Sequence, residues 1–184
     1  MLLPHHDRVT TLALYHVLPA NLVGSHLLPL NQLRSLYPDV ASVAMRRYQG
    51  REKLLQRQIP QLGCKWSDTV SLSLTSPETL RSLAKELGLP WKPRIWVAID
   101  PHTLDSGHSI LYPSRRRTPW SPDTSQDFEP YRIENLASYQ SVELTREDWA
   151  QAKSNGTPML LFSSVPSVLY RGNIDITNLS RFEQ

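Results

Sequence analysis

Thr69-Val70-Ser71-Leu72-Ser73-Leu74 alternates apolar and polar residues one for one. That period of two is the mark of a strand with one face in a core. Ser76-Pro77-Glu78 follows at once. Serine at an N-cap, proline at the first helical position and an acid in the first turn open a helix. Leu80, Leu83, Ala84 and Leu87 then recur at helical spacing, and Gly88 ends the run. Arg94-Ile95-Trp96-Val97-Ala98-Ile99-Asp100 is the strongest strand in the chain. Strand, helix and strand in thirty-odd residues set the theme.

The pattern on either side is irregular. Thr10 to His16 reads as a first strand, and the loop from Val17 to Gly24 contains Pro19. Leu30, Leu33 and Leu36 line a short helix that stops before Pro38. Asp39 caps a helix running to Tyr48, with Val40, Val43, Ala44 and Tyr48 on one face, and Gly50 ends it. One straight helix continued past Gly50 would put Arg47 and Arg51 in an apolar stripe with Val40 and Leu55. A break there, and a second short helix from Arg51 to about Gln58, removes that conflict. Ile110-Leu111-Tyr112 forms a short strand. Thr145-Arg146-Glu147-Asp148 begins a helix with Asp148 in a capping-box position, ending at Asn155-Gly156. Met159-Leu160-Leu161-Phe162, Val168-Leu169-Tyr170 and Asn173-Ile174-Asp175-Ile176 read as late strands. Without a regular βαβ rhythm, the fold class is α+β: one domain over residues 1–184, with a mixed or mostly antiparallel sheet flanked by helices.

Composition sets outer limits. The 184 residues are 40% hydrophobic and 20% charged, the balance of a globular chain with a real core. No apolar run approaches the roughly 20 residues of a membrane helix, and Met1 to Arg8 lacks the pattern of a signal peptide. Cys64 is the one cysteine, which excludes an internal disulfide and a thiolate zinc cluster and suits a reducing, cytoplasmic setting. A net charge of +3 permits nucleic acid as a partner without requiring it. Fifteen prolines against seven glycines imply short elements and long ordered loops. Phosphate-loop, dinucleotide-fingerprint, zincin and nucleophile-elbow motifs are all missing. Asp100, His102, Asp105 and His108 lie close together, but their spacing is not that of a metal pair, and no metal site is expected.

Three groups of residues are candidates for chemistry. Tyr15 and His16 close the first strand, where a histidine that titrates near neutral pH could hold a ligand or act as a general base. The alternative is a histidine that bonds a turn carbonyl. Trp66 could wall the same cleft and Ser71 could point into it. Arg46, Arg47, Arg51, Lys53 and Arg57 form a basic segment, and Arg115, Arg116 and Arg117 a second, near Tyr112 and Trp120. These clusters read either as phosphate or nucleic-acid contacts or as solvated surface.

Leu14-Tyr15-His16-Val17-Leu18-Pro19 resembles the opening strand and loop of ADP-ribosyltransferase-fold proteins, among them RNA 2′-phosphotransferases and DNA-modifying ADP-ribosyltransferase toxins. Val70-Ser71-Leu72-Ser73-Leu74 is similar to the second motif of that fold. The resemblance implies NAD as cofactor, His16 on its ribose, Tyr15, Trp66 and Ser71 around it, and an ADP-ribosyl- or phosphoryl-transfer reaction on nucleic acid or protein. Such transferases carry a late catalytic glutamate. The last strands here offer Asp175 and no glutamate before Glu183, so Glu143 stands in that role. The chain also resembles a set of uncharacterised bacterial proteins that share Gly50-Arg51-Glu52, Trp66-Ser67-Asp68 and Leu169 to Asp175, a likeness that implies no activity. The alternative function is a non-catalytic module that binds nucleic acid or a partner.

Overall fold

The computed structural model describes residues 12–113 and 125–184. Arg115, Arg116, Arg117 and Trp120 fall outside the described residues, as does the start of the first expected strand.

In chain order the strands and α-helices are β1 (Leu14–Val17), β2 (His26–Leu27), α1 (Leu30–Leu36), α2 (Pro38–Met45), β3 (Gln58–Ile59), β4 (Cys64–Lys65), β5 (Val70–Ser73), α3 (Pro77–Glu86), β6 (Ile95–Ile99), β7 (Ser109–Tyr112), β8 (Glu129–Pro130), α4 (Glu143–Ser154), β9 (Ser167–Tyr170), β10 (Ile174–Asp175) and β11 (Arg181–Glu183). Seven strands form one sheet in the order β11-β6-β1-β5-β9-β7-β8. All its ladders are antiparallel. Two small antiparallel ribbons, β10-β2 and β3-β4, lie beside it. The class is therefore α+β with an antiparallel sheet.

Alternation along the strands divides the core by face. Leu14, Leu72, Val97, Ile99, Leu111 and Val168 point to one face and pack with Leu27, Leu136 and Ile174. The other face carries two clusters. Ile110 and Leu169 lie under Leu30, Ala41, Leu54 and Trp66. Val17 and Trp96 lie under Leu80, Leu83 and Ala84 of α3 and Trp149 of α4. The serines of β5 belong to this second face, so their side is covered, and Ser73 is buried.

Helix ends follow local chemistry. Ser76 Oγ accepts the Thr79 amide at 3.1 Å, the cap expected of α3. Tyr37 rather than Asp39 precedes α2, because Pro38 occupies the first helical position. After α2 the chain tightens into a 3₁₀ turn over Arg46–Tyr48, and Gly50 reverses it at φ +77°. The second expected helix is a 3₁₀ segment, Glu52–Gln56.

Two late elements differ from the sequence expectation. α4 begins at Glu143, and Asp148 does not cap it. Asp148 accepts hydroxyl hydrogen bonds from Ser163 and Ser164 instead. That anchor makes residues 161–164 a turn, so Met159-Leu160-Leu161-Phe162 is not a strand. Their apolar content serves the cluster under α4, where Met159 and Leu161 pack. β11, which pairs with β6, was not legible: Arg181-Phe182-Glu183 is too short and too charged to signal a strand.

Candidate ligand cleft where two strands part

β1 and β5 are neighbours with one bridge pair, Tyr15 opposite Ser73. By contrast, β1 and β6 are in register over four pairs. Beyond Tyr15 and Ser73 the two strands part, and His16 stands in the fork. Its Nδ1 donates to the Ser71 carbonyl at 2.9 Å, replacing a ladder bond with a side-chain bond. A carbonyl only accepts, so Nδ1 carries the proton and Nε2 holds the lone pair.

A cleft of about 210 Å³ opens there, and all three core clusters contribute to it. Leu22 and Leu27 come from the first, Leu54, Trp66 and Tyr112 from the second, and Val17 and Val165 from the third. Ser71, Ser73 and Ser167 supply polar groups. The hydroxyls of Ser73 and Ser167 are engaged by the carbonyls of Thr75 and Val165. Arg47 and Arg51 bring positive charge. Among the described lining residues none is an aspartate or glutamate.

Removal from water lowers the His16 pKa from 6.5 to about 4. The bond to Ser71 works the other way, and the charge of Arg47 adds to the lowering. His16 is therefore neutral at pH 7 and too weak a base there to take protons readily. It offers an acceptor, not general-base chemistry. Arg47 keeps solvent contact, yet the walls around it lower its own pKa by desolvation. Arg51 Nη2 donates to the Arg47 carbonyl at 2.8 Å, which ties the two arginines across the Gly50 turn.

The structure brings His16, Trp66 and Ser71 to one cleft and places other candidates elsewhere. Tyr15 sits at the closed end of the fork, packed with the cluster beneath α3 and α4, and does not line the cleft. Burial, with a contribution from Glu78, raises its pKa. Glu143 is exposed in the first turn of α4, 3.7 Å from Arg146 Nε, and also lies outside the cleft. Helix α4 turns its buried residues, Thr145 and Trp149, to the core, and Glu143 is not among them.

The basic segment does not form one face. Arg46, Arg47 and Lys53 are exposed, Arg47 and Arg51 line the cleft, and Arg57 is internal. The Arg57 side chain is 10% exposed, pairs with Asp127 and lies 5.6 Å from the centroids of both Tyr112 and Phe128. It braces the cleft wall that Tyr112 forms. Asp100 and Asp105 cap their own 3₁₀ turns by accepting the His102 and Gly107 amides. Among the described residues no group of three His, Cys, Asp or Glu side chains could hold a metal ion. No described helix is long and apolar enough to cross a membrane.

Several lining residues carried no sequence signal. Tyr37, Tyr48, Phe162 and Val165 carry no pattern that marks a ligand site. One usable signal was present: two arginines fell in an apolar stripe. The chain finds no match among protein-family models, curated proteins or solved structures.

Proposed function

We propose that the chain is a binding module for a small organic anion, held in the cleft where β1 and β5 part. The observation that carries this reading is the charge of the cleft: Arg47 and Arg51 among apolar walls, with no carboxylate in the described lining. Two guanidiniums beside apolar walls favour a phosphate or carboxylate and disfavour a cation. Aromatic and aliphatic walls favour an organic body on that anion. The volume is below the roughly 300–1,000 Å³ of clefts for drug-sized ligands, so the cleft takes a small molecule or one end of a larger one.

Nucleoside phosphates, NAD among them, carry such a head. NAD enters this reading as a ligand, not as a donor of ADP-ribose, because Glu143 stands outside the cleft and His16 is a weak base. Binding of nucleic acid through the whole arginine segment finds little support, since Arg57 is internal and Arg46 does not line the cleft that Arg47 and Arg51 line.

The test is calorimetric titration of AMP, NAD and inorganic phosphate at low salt, into the parent protein and an R47A/R51A variant. Charge-assisted hydrogen bonds contribute roughly 1.5–3 kcal/mol each. The expected result is binding of at least one of the three, weakened about tenfold or more in the variant while its thermal melt is kept. Affinity indifferent to the double substitution, or no binding of any of the three, overturns the reading.

A further inference from the structure

Ser164 has φ 54°, a left-handed backbone that a residue with a side chain rarely adopts, and it is the one non-glycine case among the described residues. α4 holds the turn around it with four hydrogen bonds, two of them to Ser164 itself. The hydroxyls of Ser163 and Ser164 donate to the Asp148 carboxylate. Thr145 Oγ1 donates to the Ser164 carbonyl at 3.1 Å, and Trp149 Nε1 donates to the Leu160 carbonyl at 3.2 Å. Thr145 and Trp149 are fully buried, so their positions are fixed by the core. Strain retained by this many restraints points to a side chain that must be held in place.

Phe162 lies in the same turn, residues 161–164. It meets Trp96 edge-on, with centroids 5.9 Å apart, and is still 40% exposed. Val23 is 48% exposed. Both also line the cleft, so they stand at its mouth. Large apolar side chains left in water at the mouth of a cleft gain free energy when something apolar covers them. The positive charge of Arg47 and Arg51 selects what that is attached to.

We propose that the ligand is an amphipathic anion, its head at Arg47 and Arg51 and its apolar chain passing over Phe162 and Val23. This narrows the ligand class and rests on the reading of the cleft as an anion site. The occupant is the free amphiphile, not a membrane surface, because the arginines line a cleft and not a flat face.

The probes are octyl phosphate below its micellar concentration, inorganic phosphate, AMP, and phosphatidic-acid vesicles. Octyl phosphate is expected to bind the parent protein at least about tenfold more tightly than inorganic phosphate, since part of its chain leaves water. Phe162→Ala should weaken octyl phosphate about tenfold more than it weakens inorganic phosphate. Phe162→Leu, which keeps apolar cover, should retain most of the affinity. Octyl phosphate binding no tighter than inorganic phosphate, or indifferent to Phe162→Ala, overturns the proposal. Binding to vesicles without binding to monomeric octyl phosphate overturns it too. In each of those cases AMP or phosphate binding that is lost in R47A/R51A leaves the anion site standing, whereas its absence removes both.

Discussion

Replacing His16 with glutamine tests the fork through its pH dependence. The ring loses its proton near pH 4 when folded and near 6.5 when unfolded. A folded-state pKa below the unfolded one means the unfolded chain binds more protons in between. The stability that His16 contributes is therefore fully present above pH 6.5 and falls as the pH drops from 6.5 towards 4. At pH 5 the unfolded histidine is almost fully protonated and the folded one about a tenth. That difference, about 1.5 pH units at 1.36 kcal/mol each, is about 2 kcal/mol. Glutamine keeps an N–H donor for the Ser71 carbonyl and does not titrate. Urea unfolding of both proteins at pH 7.5 and pH 5 gives the four stabilities required. Contributions common to both proteins cancel in the comparison. The parent should lose about 2 kcal/mol more than H16Q between the two pH values. Equal losses would refute the buried, neutral His16 and with it the geometry of the fork.

Arg57→Ala should cost about 2–4 kcal/mol in urea unfolding, because it leaves Asp127 without its ion pair and removes the cation beside Tyr112 and Phe128. A change below 0.5 kcal/mol, the size expected at a solvated surface, would show that Arg57 is not a brace. Trp149→Phe should lower stability by about 1–3 kcal/mol, since it shrinks a fully buried side chain and orphans the Leu160 carbonyl. Calorimetric melts showing an unchanged midpoint would contradict the packing of α4 on the sheet.

The parts of the fold legible in the sequence are those where period and punctuation agree. β5 and α3 follow from the alternation at Val70 to Ser73 and the cap at Ser76, and both stand where expected. β6 and β9 also follow from their apolar content. Met159 to Phe162 shows the limit: an apolar run of four fits a strand as well as a packed turn, and only the distant Asp148 decides between them. Ladders as short as β2-β10 or β3-β4 depend on long-range pairing that no local pattern carries. For the cleft, Ser71 and Ser73 stand on the polar side of a half-buried strand, and Ser71 reads from the sequence as pointing into the cleft. Their covering by two clusters is a property of the assembled layers. Arg47 and Arg51 carry a second signal. Their place in an apolar stripe looked like a reason to break the helix, and the chain does break at Gly50, yet both arginines still face the apolar cleft.

Amide and indole chemical shifts report residue by residue whether the fork between β1 and β5 takes an organic anion. The ¹⁵N-labelled protein is titrated with octyl phosphate and, separately, with AMP. Saturable shifts are expected for the Val17 and Ser71 amides and the Trp66 indole, with Glu143 and Cys64 unmoved. Shifts centred on α4 near Glu143, or no saturable shift at Val17, Ser71 and Trp66 with either ligand, would contradict it.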